Sequence, residues 1–307
     1  GGQADIQNRV IRHVEERTFR RDPLRAIRAA QFAARLEFAI APETMALCRT
    51  LDLDGLARER MMGEMEKALT RSRRPSRCFE ALREMGQLEP WLKEVAALIS
   101  VKQRADCHPE GDAWTHTMLV VDEAAKLRDE AKNPTGLMLA ALLHDVGKAV
   151  AMQEKDGVIH AYGHETAGVP LAEEFLRRLT GEKALCRYVL NMVELHMKPN
   201  LYAAQNSGQK AWNRLFDRSA CPEDLLLLAK ADHRGRINAA PYAETERTIL
   251  ARLSAYEEMM ARPHITGADL LARGIQPGEE MGRLLEEAHR LRLAGVKKED
   301  ALRQMRL

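Results

Sequence analysis

Apolar residues return at intervals of three and four along most of this chain, the spacing that lines one face of an α-helix. The pattern predicts helices over Leu24 to Leu36, Glu43–Leu51, Arg58–Arg71, Pro75–Met85 and Pro90–Ile99. It continues through Ala113 to Arg128, with Met118, Val121 and Ala125 on one apolar face, and then over 136–146 and His164 to Leu179. Further helices are predicted over 183–197, 223–234, 243–262 and 279–294, with a short one after Lys298-Glu299-Asp300. Asp22-Pro23 is a helix opener, with Asp as N-cap and Pro at the first helical position. The convincing β-like piece runs from Gly157 to Gly163 and reads as a short hairpin. The predicted fold class is all-α, an elongated multi-helix array around a central helical bundle.

Composition narrows the setting without naming a partner. At 307 residues the chain can hold two domains or one protein of several parts. Hydrophobic residues at 45% suffice for a packed core, and few aromatics (5%) beside abundant Leu, Ala, Met, Glu and Arg favour helix over sheet. The 30% charged residues nearly balance, at a formal net charge of +2, so local clustering must decide whether nucleic acid binds. Five cysteines without a CxxC pair argue against a disulfide framework or zinc ribbon and for a reducing cytoplasm. No apolar run approaches the roughly 18–20 residues that span a bilayer, so the expected location is cytoplasmic, with no membrane partner.

Candidate chemistry concentrates in the middle. The apolar run Leu139-Ala140-Ala141-Leu142-Leu143 delivers His144-Asp145 at its end, and Gly147 is expected to stop the helix. A buried His-Asp pair is costly unless something cationic compensates it, and imidazole with carboxylate suits Zn, Mn, Fe, Ni or Co. Taken alone, the pair reads more simply as a neutral histidine bonded to an N-cap aspartate. It does not stand alone: helix 183–197 ends on His196, helix 223–234 carries Asp232 near its end, and His116 and His164 sit near helix starts. Five helix-end positions of ligand type point to a metal site rather than to unrelated core histidines.

Two divalent ions bridged by one carboxylate hold a phosphate by two oxygens and activate water for in-line attack. Asp145 is the natural bridge. His116, His144, Asp145 and Asp232 are assigned to one ion, and Asp145, His164 and His196 to the other. Lys148, one turn beyond His144, is expected to neutralise a phosphate oxygen. Glu165 is read as an orienting neighbour, and both it and His108 are candidates for substrate contact. Elsewhere Arg25, Arg28 and Arg35 share a helix face as an anion-binding stripe, and Arg71, Arg73, Arg74 and Arg77 make the most basic loop. That loop lacks interleaved aromatics, so it is expected to grip an RNA backbone rather than read bases.

The order His116, His144-Asp145, His164, His196, Asp232 resembles the HD-domain metal-dependent phosphohydrolases, in the version with two extra histidines. That resemblance covers about 100–240 and implies a binuclear centre, with Mg, Mn, Ni, Co or Fe as the ions. Phe19 to Leu36 is similar to the neck helix of bacterial tRNA nucleotidyltransferases and poly(A) polymerases, the class II CCA-adding enzymes, and the Ile265–Gly278 tail also looks like theirs. The likeness implies that Asp22 and Arg25, with Arg28 beside them, face the incoming CTP or ATP. Arg21 stands where that family has an acid and Gln31-Phe32 where it has Arg-Phe. Gly1 to Ile6 and Arg12 resemble the last motif of the family's head domain, so nucleotidyl transfer is expected only with such a head present. The resemblance divides the chain into 1–50 (end of head and neck helix), 51–100 (RNA-binding-like body), 101–240 (HD phosphohydrolase) and 241–307 (helical tail).

The leading expectation is a phosphohydrolase acting on 2′,3′-cyclic phosphodiesters or 2′-phosphates of nucleotides or RNA ends, with tRNA or other RNA 3′ ends as partners. A tRNA-binding fragment with an inactive HD domain, and a hydrolase of signalling nucleotides, are the alternatives.

Overall fold

The computed structural model describes residues 1–104, 109–155 and 158–307. The fold is predominantly α, as the periodicity predicts. Apart from an isolated antiparallel bridge between Lys102 and Asp112, the described residues form two small strand pairs: Val10–Ile11 runs parallel to Ala39–Ile40, and Gln153–Lys155 pairs antiparallel with Val158–His160. The second pair is the expected hairpin, displaced towards the N-terminus. Gly163 takes a left-handed φ of 75° and helix begins at His164, so 161–163 turns instead of extending.

The chain divides into two compact units, 1–197 with 223–242 and 198–222 with 243–307. In the first, helix Leu24–Leu36 follows an Asx turn in which Asp22 Oδ1 accepts from the Leu24 N–H at 3.3 Å. It buries Leu24, Ala26, Ile27, Ala30, Ala33 and Ala34 against helices Arg58–Arg71 and Ser76–Glu84. Small side chains on that face let the helices approach closely.

The centre of the first unit is helix Pro134–Leu143, where every residue from Gly136 to Leu143 is buried. A helix apolar on all sides belongs in an interior, and each buried leucine contributes about 1.5–3 kcal/mol. Asn133 caps it by accepting from the Gly136 N–H, and Pro134 occupies its first turn. Helices Ala113–Leu127, Lys183–Leu195 and Arg58–Arg71 pack around it, and His164–Leu179 packs on Lys183–Leu195. Buried Asp224 fastens the start of the central helix by accepting from the Lys132 and Asn133 N–H groups (2.8 and 2.9 Å) and the Tyr188 hydroxyl (2.5 Å).

Helix Ala113–Leu127 also holds the basic loop. Asp122 accepts from the Ser76 N–H and hydroxyl at 3.0 and 2.8 Å, and Arg128 donates to the Leu69 and Ser72 carbonyls at 3.0 and 2.6 Å. These last carbonyls of helix Arg58–Arg71 would otherwise lack partners.

In the second unit Trp212 and Phe216 pack with Tyr202 and Tyr256, and buried Asn213 donates to the Leu293 carbonyl at 2.9 Å. Its tail closes over Ile265, Leu270, Ala288 and Ala301, and Thr266 and Asp269 form a capping box. Among the described residues no helix is long and apolar enough to cross a membrane.

Candidate metal centre

Each ligand-type side chain arrives on the end of a packed helix. The central helix stops at Leu143 and a turn carries His144 and Asp145 before helix Lys148–Ala151. Gly147 does not end the helix through a left-handed residue: its φ is −67°. It is small because helix His164–Leu179 crosses against it; a Cβ there would lie 2.0 Å from the His164 carbonyl oxygen and 2.5 Å from the Gly168 nitrogen. That close crossing sets His164 opposite Asp145.

The histidines are oriented by one device. Nδ1 of His144, His164 and His196 donates to the carbonyl three residues earlier, Ala141, Ala161 and Val193, at 2.9, 2.8 and 2.7 Å. A carbonyl can only accept, so Nδ1 carries the proton, and in the neutral ring Nε2 keeps its lone pair. His116 uses a carboxylate instead, with Glu110 Oε1 at 2.8 Å from Nδ1 and both side chains fully buried.

The Nε2 atoms converge on Asp145. Its Oδ2 lies 3.2 Å from His144 Nε2 and 3.7 Å from His116 Nε2, while Oδ1 lies 3.1 Å from His164 Nε2 and 3.7 Å from His196 Nε2. Asp232 Oδ1 closes the first set, 3.1 Å from His116 Nε2 and 4.0 Å from His144 Nε2. His116, His144 and Asp145, and separately Asp145, His164 and His196, are each grouped tightly enough to hold an ion. Nε2 of His144, His164 and His196 is in each case buried without a hydrogen-bond partner. Buried polar atoms left in that condition cost about 1–3 kcal/mol each, so their convergence is what an N/O site for divalent cations requires.

Burial raises the Asp145 carboxyl, but His144, Lys148 and His164 outweigh it and hold the group well below the usual range. Burial likewise opposes ionisation of Asp232, overcome by His116 and Arg236. His196 is pushed down to about 3 by burial and its imidazole neighbours, which keeps it neutral and able to donate a lone pair. His116 and His164 feel the same burial, yet their carboxylate partners raise them.

The six metal candidates are therefore brought together. Lys148 is buried, with Nζ 2.6 Å from Asp145 Oδ2 outside hydrogen-bond geometry and 2.5 Å from Gln103 Oε1. Glu165 Oε2 lies 3.7 Å from His164 Nδ1, and His108 lies outside the described residues. Sequence reasoning missed Glu110, Gln103 and Arg236, whose Nη2 is 3.3 Å from Asp232 Oδ2. Arg236 carried a signal, standing one helical turn after Asp232; the other two lie in irregular chain. A cleft of about 190 Å³ opens onto Asp145, Lys148, His164 and Asp232.

Away from the centre, Asp22 Oδ2 pairs with Arg60 at 2.8 Å, and that hydrogen bond lowers its pKa. Arg25 donates to the Thr18 carbonyl, and Arg28 is exposed with its guanidinium 5.9 Å from the Phe32 ring. Gln31 is buried, its Nε2 without a partner. In the basic loop Arg71 and Arg73 are exposed, Arg77 is half-buried, and Arg74 lies 3.3 Å from Asp122.

Residues 113–254 match the family described as "HD domain", and 37–99 match "Probable RNA and SrmB- binding site of polymerase A". The chain is 37% identical over 308 residues to the Multifunctional CCA protein of Burkholderia cenocepacia strain HI2424, covering 96% of this chain and 70% of that protein. It belongs to the CCA-adding tRNA nucleotidyltransferase family. Another member, the Multifunctional CCA protein of Actinobacillus pleuropneumoniae serotype 5b, is 34% identical over 312 residues, covering 97% of this chain and 72% of that protein. The fold is also that of solved CCA-adding enzymes. One in complex with CTP aligns at TM-score 0.61 and 16% identity, over 99% of this chain and 64% of that one. The Thermotoga maritima enzyme complexed with tRNA aligns at TM-score 0.58 and 15% identity, over 99% and 66%. The chain thus spans about two thirds of the CCA-adding enzymes it matches.

Proposed function

We propose that this member of the CCA-adding family carries, in its HD region, a divalent-metal phosphohydrolase acting on 2′,3′-cyclic or 2′-phosphates of nucleotides or RNA ends. The supporting observation is the division of the Asp145 carboxylate, with Oδ2 turned to His116 and His144 and Oδ1 to His164 and His196. One carboxylate between two imidazole pairs fits two cations of the Mg, Mn, Ni, Co or Fe type. Bound there, such ions would supply Lewis-acid activation of water and of the phosphorus centre. His116, His144, Asp145 and Asp232 would hold one, and Asp145, His164 and His196 the other.

The chain's own groups do the remaining work. Lys148, flanked by Asp145 and Gln103 at the cleft, offsets negative charge on a bound phosphate. Glu110 and the three backbone carbonyls hold the imidazoles in the tautomer that faces the ligand. Glu165 borders His164, and His108 is proposed to contact substrate. The RNA is proposed to reach the protein through 51–100, with exposed Arg71 and Arg73 and the more engaged Arg74 and Arg77 on its backbone. Asp22, Arg25 and Arg28 are proposed to meet a nucleotide once Asp22 parts from Arg60. Nucleotidyl transfer would rest on a head domain joined to residues 1–50, with 101–240 as the hydrolase and 241–307 as the tail.

The test is metal content with turnover. The purified chain should hold close to two ions, hydrolyse 2′,3′-cyclic nucleotides with Ni, Co, Mn or Mg, and lose this with Asp145→Ala. No hydrolysis with any of the four would refute the reading. Tight, salt-dependent tRNA binding without turnover would support the inactive-domain alternative instead.

A further inference from the structure

The cleft beside the metal centre has two chemically different parts. One is charged: Lys102, Arg104, Lys148 and Arg236 line it around Asp145 and Asp232. The other is aromatic. His160 and Tyr162 stack with ring centroids 4.9 Å apart and planes within 16°, and Tyr162 is 83% exposed. A single exposed tyrosine would carry no meaning. Here it lies flat on a second ring and lines the same cleft as the metal-ligand candidates.

The segment that carries the rings also carries a ligand candidate. His160 ends the strand Val158–His160 and registers with Gln153. Ala161 contributes the carbonyl that fixes His164 Nδ1 at 2.8 Å. Gly163, in the left-handed region, turns the chain into the helix that starts at His164. The rings and the imidazole are therefore held in one short stretch of backbone.

We propose that Tyr162, backed by His160, is a nucleobase platform, making the cleft selective for a nucleotide carrying a terminal phosphate. The base lies on the exposed face of Tyr162, and the phosphate reaches Lys148 and its cationic neighbours. The activity arm of this inference rests on the phosphohydrolase reading; the binding arm does not. Every base has a π-face, so the platform is expected to favour nucleosides over base-free phosphates without ranking the bases strongly.

Two measurements test it. In the first, the chelator-treated chain is titrated with 2-aminopurine riboside 3′-phosphate and with a trinucleotide RNA ending in the same group, read by fluorescence quenching. Wild type and Tyr162→Phe should quench both probes, while Tyr162→Ala should need about tenfold more protein, within the range for losing one base–aromatic stack. Tighter capture of the trinucleotide assigns an RNA end, and equal capture a free nucleotide; both require Tyr162. In the second, kcat/KM is compared for adenosine 2′,3′-cyclic phosphate and base-free glycerol cyclic phosphate with Mn. The preference for the nucleoside should fall about tenfold in Tyr162→Ala, mainly through KM, and return in Tyr162→Phe. Quenching that is the same in Tyr162→Ala and wild type overturns the platform. Hydrolysis with an unchanged preference overturns it too while leaving the phosphohydrolase standing. Tyr162-dependent quenching without hydrolysis leaves the platform standing and removes the phosphohydrolase.

Discussion

Replacing Gly147 with alanine would drive a methyl group into the backbone of the neighbouring helix. Alanine accepts the local φ of −67°, so this substitution tests space rather than conformation. The new Cβ would sit 2.0 Å from the His164 carbonyl oxygen, where ordinary contact begins near 3.4 Å, a shortfall of 1.4 Å (3.4 − 2.0). Neither backbone can yield alone, so helix His164–Leu179 must back away from the corner that bears Asp145. The His164 Nε2 to Asp145 Oδ1 separation is only 3.1 Å, so a shift of that size removes His164 from the cluster. Overpacking costs about 1–3 kcal/mol, and at about 2–4 °C per kcal/mol for a unit of this size the melting temperature should fall by roughly 2–12 °C. The melt is run with chelator, to isolate packing, and metal is counted separately by elemental analysis after dialysis against Mn. Gly147→Ala should lose metal from the His164/His196 side first. Gly168→Ala, whose Cβ would meet the Gly147 nitrogen at 3.1 Å, should be milder on both readouts. Unchanged melting together with full metal content in Gly147→Ala would refute the reasoning.

Two further outcomes probe the supports. Glu110→Ala frees the His116 ring, so Mn affinity measured by chelator competition should drop roughly 10–100-fold; an unchanged affinity would mean that His116 is held by other contacts. Asp224→Ala removes the acceptor shared by the Lys132 and Asn133 N–H groups and the Tyr188 hydroxyl. At about 1 kcal/mol for each of three part-buried hydrogen bonds lost, the loss should be on the order of 3 kcal/mol in urea denaturation. A midpoint equal to wild type would show that those donors find water.

Much of the helical layout was legible because burial imposes a period on each helix. Leu139 to Leu143 read as a core element from apolarity alone, and the structure buries them all. Bringing six side chains to one place was legible for a related reason: an imidazole or carboxylate at the end of an apolar helix has few other things to do. The supporting shell was harder to see. Glu110 and Gln103 act from irregular chain, where no period marks which way a side chain points. Gly147 was noticed for the wrong property, since a sequence displays a glycine's freedom but not the helix lying across it. The Val10–Ile11 and Ala39–Ile40 pair escaped notice because two residues are too few to show alternation.

The way the four imidazoles are steadied divides their vulnerabilities. His144, His164 and His196 each lean on a carbonyl three residues back in their own segment, so a substitution elsewhere can loosen the packing without reversing which nitrogen looks inward. His116 depends on a side chain six residues away. Changes confined to the stretch before its helix can therefore detune one half of the centre while leaving the other in working order.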